Sequence, residues 1–346
     1  MRGRRHRGRF LPPFAAAGHG RFAFGGSAQP AARPLGPPVD TLAALGTAVT
    51  AGPGGGPPVL LDSEGLDGGA VAVESPLSGQ FLSGLLMAAP LTRRPLTLTV
   101  DSLVSRPCIA MTLALMRRFG AKVTERHGDV IEVQPGGHGA LDLTVEPDAS
   151  TASYAVAAAA VTGGTVTVPG PGHGSLQGDL RFVDVLRRLG ARVDVTESAT
   201  SVTGEGPLRG RLSVGMGEIS DTLMTLAAIA PRADAPVTIR GIAHARLKDS
   251  DRITAIARNL RALGADTDEG HDWITVHPGT PTGARIARRR DHRIGMAFSV
   301  LGLRVPGITL DDAPCVGKSF PGFHEELRRL FPLASRPASP QRQGSR

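Results

Sequence analysis

Four stretches of this chain end a leucine-rich amphipathic run on a Leu-Gly or Phe-Gly pair and go on into a short apolar segment: VDTLAALGTAV, LALMRRFGAKV, VDVLRRLGARV and IARNLRALGAD. Their glycines, Gly46, Gly120, Gly190 and Gly264, stand 74, 70 and 74 residues apart. Leucines at helical spacing bury one face of a helix. The glycine supplies the left-handed conformation that ends it and turns the chain back toward a sheet. Any α/β protein holds such junctions, but four at a near-constant interval mark an internal repeat. Between the glycines, LTLTVDS, DLTVEPD, GTVTVPG and PVTIRGI alternate like strands. SGQFLSGLLMAA, SYAVAAAAVTG, DTLMTLAAIA and HRIGMAFSVLGL read as buried helices. Each repeat therefore holds strands and two helices, one buried and one amphipathic. A length of 346 residues suits two domains rather than one.

The charge argues against a nucleic-acid-binding body. The net charge is +8, and eight arginines at the two ends account for all of it: Arg2, Arg4, Arg5, Arg7 and Arg9, then Arg336, Arg342 and Arg346. The stretch between is formally neutral and lacks the basic excess of a nucleic-acid reader. Residues 1–20 and 333–346, rich in Arg, Pro and Ser, are expected to be disordered. Two cysteines, Cys108 and Cys315, have no metal-ligand spacing and make no disulfide framework, which points to the cytoplasm. No apolar run reaches the length of a membrane span.

Charges concentrate at junctions that open helices. His244-Ala245-Arg246-Leu247-Lys248-Asp249-Ser250-Asp251-Arg252 leads into a helix expected at Ile253–Leu263, with Asp249 or Ser250 as its cap. Lys248 and Arg252 there suit a phosphate or carboxylate; the plainer reading is a solvated helix start. Arg288-Arg289-Arg290-Asp291-His292-Arg293 precedes an apolar helix and reads equally as an anion clamp or a basic turn. Cys315-Val316-Gly317-Lys318-Ser319 is a weak anion signal without P-loop spacing. Ser220-Asp221 before Thr222–Ala230 reads most simply as a helix cap. Ser78-Gly79-Gln80 and Ser105-Arg106-Pro107 open two further helices and suit a phosphate or a cap.

Taken in order, SGQFLSGLLMAAPL, DSLVSRP, EPDASTASY, SDTLMTLA, RLKDSDR, DHRIGMAFSVLGL and CVGKSFPGF resemble the EPSP synthase family from about Arg9 to Leu330. The resemblance implies an α/β fold of two domains, each of three βαβαββ-like units about a pseudo-threefold axis. It implies transfer of the enolpyruvyl group of phosphoenolpyruvate to the 5-hydroxyl of shikimate 3-phosphate, by a cytoplasmic monomer with no metal or organic cofactor. Carried over by motif, Ser78, Gln80, Ser105, Asp221 and Lys248 hold shikimate 3-phosphate, and Gln80, Arg252, Arg293 and Lys318 hold phosphoenolpyruvate. Asp221, Asp249 and Lys318 carry the chemistry, Asp221 as base toward the 5-hydroxyl and Asp249 as proton relay.

The resemblance also implies departures. Six units of about seventy residues need roughly 420 residues, so the expectation is that one unit is largely missing. Residues 21–146 are then a remnant of the first domain and 147–332 a complete second domain. The family's Lys-Ser…Asn-Arg segment and its Asn-x-Gly-Thr turn are not found in the sequence. Gln29 stands ahead of Arg33-Pro34 where the family has an arginine, Gly79 replaces a serine, and Cys108 an aromatic. Asp249 is one methylene shorter than the usual glutamate, which displaces a proton by about 1 Å and costs about 100-fold. The alternative reading is therefore an inactive, truncated member that keeps only partial anion binding. The sister transferases acting on UDP-N-acetylglucosamine fit less well, because Cys108 lies in Ser-Arg-Pro-Cys rather than their Pro-Arg-Pro-Gly-like loop.

Overall fold

The computed structural model describes residues 7–25, 36–53, 57–74, 79–101, 106–127, 129–248 and 250–332. The chain divides into two compact units. Unit 1 is Met1–Glu146 with Gly174–Gly178, and unit 2 is Pro147–His173 with Asp179–Arg346.

Unit 1 runs α1 (Arg7–Ala16), β1 (His19–Phe24), α2 (Gly36–Ala44), β2 (Ala48–Ala51), β3 (Val59–Glu64), β4 (Gly69–Glu74), α3 (Gly79–Ala88), β5 (Leu96–Asp101), α4 (Arg106–Arg118), β6 (Val123–Arg126) and β7 (Val130–Val133). One sheet is antiparallel in the order β1-β3-β2. The other has the order β4-β5-β7-β6, with β4 and β5 parallel and the remaining pairs antiparallel. Leu96, Leu98 and Val100 alternate inward from β5 onto Leu82, Leu85 and Leu86 of α3 and Leu113 of α4.

Unit 2 runs α5 (Ala149–Thr162), β8 (Thr165–Pro169), α6 (Phe182–Arg188), β9 (Arg192–Val195), β10 (Ala199–Thr203), β11 (Leu212–Gly215), α7 (Leu223–Ile229), β12 (Val237–Arg240), α8 (Arg252–Ala262), β13 (Thr267–Glu269), β14 (Ile274–Val276), β15 (Arg285–Ile286), α9 (His292–Gly302), β16 (Thr309–Leu310) and α10 (Phe323–Leu330). Its sheets repeat the topology of unit 1: β8-β10-β9 is antiparallel, and β11-β12-β14-β13 has one parallel pair, β11 with β12. A third, two-stranded sheet pairs β15 with β16 in parallel. Among the described residues the complete βαβαββ pattern is thus present twice, in β4-α3-β5-α4-β6-β7 and in β11-α7-β12-α8-β13-β14. The helices α5, α7 and α9, nearly all apolar, form the core of unit 2.

The four repeat glycines all take positive φ: 94° at Gly46, 81° at Gly120, 96° at Gly190 and 80° at Gly264. The residue after each glycine donates back five positions, Thr47 to Leu42, Ala121 to Met116, Ala191 to Leu186 and Ala265 to Leu260, at 2.9–3.1 Å. This is the Schellman closure, and it satisfies carbonyls that the helix end leaves over. A Cβ at Gly264 meets nothing within 4 Å. The cost of Gly264→Ala is therefore the left-handed backbone alone, about 1–2 kcal/mol, read as a lower urea midpoint at unchanged slope.

Three sequence expectations are corrected. Residues 7–20 are ordered: α1 packs on α3 and β3, and Ser63 Oγ donates to the Ala16 carbonyl at 2.6 Å. Burial of Pro12, Pro13 and Ala16 overrides the composition that suggested disorder. DLTVEPD makes no strand. Leu143 and Val145 stay exposed, and no neighbouring strand among the described residues pairs with them. Helix α8 begins at Arg252, and its cap is Asp251, which accepts from the Thr254 amide at 3.1 Å.

Candidate active site

Three cations of unit 2 gather around one carboxylate, Asp221, in the turn before α7. Arg252, the first residue of α8, donates from Nη1 to Asp221 Oδ1 at 2.8 Å. Arg293, the second residue of α9, donates from Nη2 to Oδ2 at 2.9 Å. Lys248 Nζ, after the 3-10 turn Ala243–Leu247, lies 3.8 Å from Oδ1. The side chain of Asp221 remains 31% exposed. Burial alone would raise its pKa, but the guanidinium of Arg293, then Arg252, then Lys248, hold it far below the usual carboxylate range. Helix α7 is capped from Thr222 with no side-chain bond, so capping is not what Asp221 does.

A second, fully buried carboxylate fixes the arginines. Asp291 is 0% exposed and caps α9, accepting from the Arg293 amide at 3.0 Å through Oδ1. Its Oδ2 accepts from Arg252 Nε at 2.8 Å. Arg252 is only 4% exposed and is shared by two carboxylates. Burial opposes its charge, but Asp291 and Asp221 more than offset that. Arg293 is likewise held charged by Asp221 against burial. The signal for Asp291 was in the sequence, an Asp three residues before an apolar run, but it reads as a cap and not as an ion-pair partner.

Two further groups face this cluster. The Tyr154 hydroxyl on α5 is buried, and burial pushes it up to about 12 against the neighbouring Arg293. Tyr154 OH and Arg293 Nη1 influence each other electrostatically, yet neither makes a hydrogen bond of ordinary geometry among the described residues. His244 Nε2 is also buried without such a partner, and burial, then Lys248, lower the pKa of the ring. Its place in the charged stretch marked His244, but nothing there distinguished it from its neighbours.

The remaining arginines of the two motifs are braces. Arg246 donates to the His271 and Gly270 carbonyls and to Asp251. Arg288 pairs with Asp312, and Arg289 and Arg290 turn through positive φ on the surface. Lys318 ends the 3-10 turn Ala313–Lys318, which packs on α9, and is exposed. In unit 1, Gln80 stands in the first turn of α3, and Ser83 bonds Thr112 of α4 at 2.9 Å. Arg106 forks onto Asp129 at 2.7 and 2.9 Å. Ser78, Ser105, Asp249, Gln29, Arg33 and Pro34 lie outside the described residues.

Cations converging on one carboxylate suit a site that binds anionic substrates and removes a proton. The family model for EPSP synthase (3-phosphoshikimate 1-carboxyvinyltransferase) matches residues 7–327. The chain belongs to the EPSP synthase family. It is 40% identical to the 3-phosphoshikimate 1-carboxyvinyltransferase of Nostoc punctiforme, over 93% of this chain and 76% of that protein. It is 41% identical to the chloroplastic protein of that name from Solanum lycopersicum, over 91% of this chain and 63% of the relative. The solved EPSP synthase of Acinetobacter baumannii superposes with a TM-score of 0.80 at 25% identity, covering 94% of this chain and 77% of that one. A Streptomyces tendae enolpyruvyl transferase shares the fold, with a TM-score of 0.74. Within the EPSP synthase family frame, the motifs that carried the resemblance, SDTLMTLA, RLKDSDR and DHRIGMAFSVLGL, are the segments that meet at Asp221. Among the described residues no helix is long and apolar enough to cross a membrane.

Proposed function

We propose that this chain transfers the enolpyruvyl group of phosphoenolpyruvate to the 5-hydroxyl of shikimate 3-phosphate, releasing inorganic phosphate, in chorismate and aromatic amino-acid biosynthesis. The observation that carries the reading is Asp221 held by Arg252, Arg293 and Lys248, on three motifs of a family matched along nearly the whole chain. The 5-hydroxyl oxygen bonds to C2 of phosphoenolpyruvate while C3 takes a proton. The C2–O bond to phosphate then breaks, and loss of a C3 proton restores the double bond.

In this scheme Asp221 takes the hydroxyl proton, and Arg252, Arg293 and Lys318 hold the carboxylate and phosphate of phosphoenolpyruvate. Lys248 sits at the shikimate hydroxyls. Ser78, Gln80 and Ser105 receive shikimate 3-phosphate, and Asp249 relays the C3 proton. A carboxylate clamped by two guanidiniums is a weak base. Phosphoenolpyruvate draws the same two guanidiniums toward itself, so its arrival frees Asp221 and raises its basicity when the proton must move. The protein works as a cytoplasmic monomer without metal or organic cofactor.

The test is mass spectrometry of a reaction containing both substrates. The expected result is an enolpyruvyl ether of shikimate 3-phosphate, with phosphate in equal amount. Phosphoenolpyruvate binding with no such product would establish the alternative of an anion-binding, inactive member.

A further inference from the structure

The chain passes between units at Glu146/Pro147, His173/Gly174 and Gly178/Asp179. These crossings are fastened on both sides. In unit 1, Glu146 accepts from Ser175 Oγ at 2.6 Å, Gln177 Nε2 at 3.0 Å and the Leu176 amide at 3.2 Å. In unit 2, Asp148 caps α5 by accepting from the Ser150 amide at 2.9 Å, and Ser150 Oγ donates to Asp179 Oδ2. Ser150 and Tyr154 are one turn apart on α5 and so share a face. That face packs on α9, where Arg293 lies next to Tyr154. Ser150 therefore brings the Asp179 carboxylate to the same side of the helix as the guanidinium of Arg293.

Resting on the functional reading above, we infer that Asp179, anchored by Ser150, is a positioning residue for Arg293. Asp221 holds one edge of that guanidinium through Nη2, and Nη1 is buried beside the Tyr154 hydroxyl without a hydrogen bond of ordinary geometry among the described residues. When Asp221 takes up its role as base, Arg293 loses its strongest restraint. The Asp179 carboxylate supplies a second one, keeping Nη1 presented to the substrate anion. The groups that face Asp179 are Asp221, Ser150, Arg293 and Asp148. Its pKa is raised by burial and then by the neighbouring Asp221, while Ser150 and Arg293 favour its charge.

The test compares wild type, Asp179→Asn, Asp179→Glu and Ser150→Ala by steady-state phosphate release. Losing the charge beside Arg293 is expected to raise KM for phosphoenolpyruvate roughly tenfold, with kcat changed less than about threefold and KM for shikimate 3-phosphate unmoved. Ser150→Ala, which keeps the carboxylate but frees it, raises the same KM about threefold, and Asp179→Glu recovers most of the loss. An unchanged KM in folded Asp179→Asn and Ser150→Ala overturns the inference, and so does an equal rise for both substrates. If wild type shows no turnover, the functional reading fails by itself. Calorimetric titration of phosphoenolpyruvate into wild type and Ser150→Ala then decides the role of Asp179: weaker binding in the variant supports it, and equal binding overturns it.

Discussion

Asp221→Asn lowers kcat by about 10³-fold, within the range for removing a general base, while phosphoenolpyruvate binds at least as tightly as to wild type. The two halves of this result come from one geometry. Asp221 is the internal anion on Arg252 and Arg293, at 2.8 and 2.9 Å. An amide cannot take a proton, so the chemical step suffers. An amide also competes poorly for guanidinium, so the clamp is freer for a substrate anion. Stopped-assay kinetics with a separate calorimetric Kd resolve the two effects. A loss under tenfold, or a Kd that worsens in step with kcat, contradicts the assignment.

The second large effect concerns stability. Arg252→Ala is expected to cost about 3–5 kcal/mol, because Asp291 is left as a buried charge without its guanidinium. Asp291 is 0% exposed and Arg252 4%, so water cannot replace the lost partner without opening the packing of α8, α9 and α7. Adding Asp291→Asn to Arg252→Ala removes the orphaned charge and restores part of the loss, a coupling that a double-mutant cycle reads directly. Urea unfolding gives the comparison. A cost below about 1 kcal/mol for Arg252→Ala would mean that the pair is solvated in the native state, as surface pairs are.

Much of this fold was legible because it repeats. The four Leu-Gly and Phe-Gly junctions announced four helix ends, and the same backbone closure recurs at each. The buried helices were legible for a related reason. Runs such as DTLMTLAAIA have no polar face and fit only inside a core. DLTVEPD misled because alternation states which face a strand would bury, not whether a neighbour is there to pair with it. Residues 7–16 misled in the other direction: two prolines and two arginines describe the local chain, and the helix depends on contacts with α3 and β3, over forty residues away.

The site was legible in its members and not in its connections. Asp221, Lys248, Arg252 and Arg293 were singled out, and the structure brings all four together. No sequence pattern says that Arg252 divides itself between Asp221 and Asp291, since the three come from the starts of three different helices. Tyr154 and Asp179 carried no signal either. One looks like part of an apolar helix and the other like part of a loop, and only the packing of α5 on α9 gives them a neighbour in Arg293. Arg246 and Arg288 show the opposite limit. They share motifs with the site residues and serve as braces, Arg246 held by Asp251 and two carbonyls and Arg288 by Asp312, partners that motif membership does not announce.

The most direct test of the account is the initial rate of phosphate release by the purified chain, measured with shikimate 3-phosphate and phosphoenolpyruvate together and with each omitted in turn. The account predicts release that saturates in both substrates and falls to background when either is left out. Release from phosphoenolpyruvate alone, or none with both present, would contradict it.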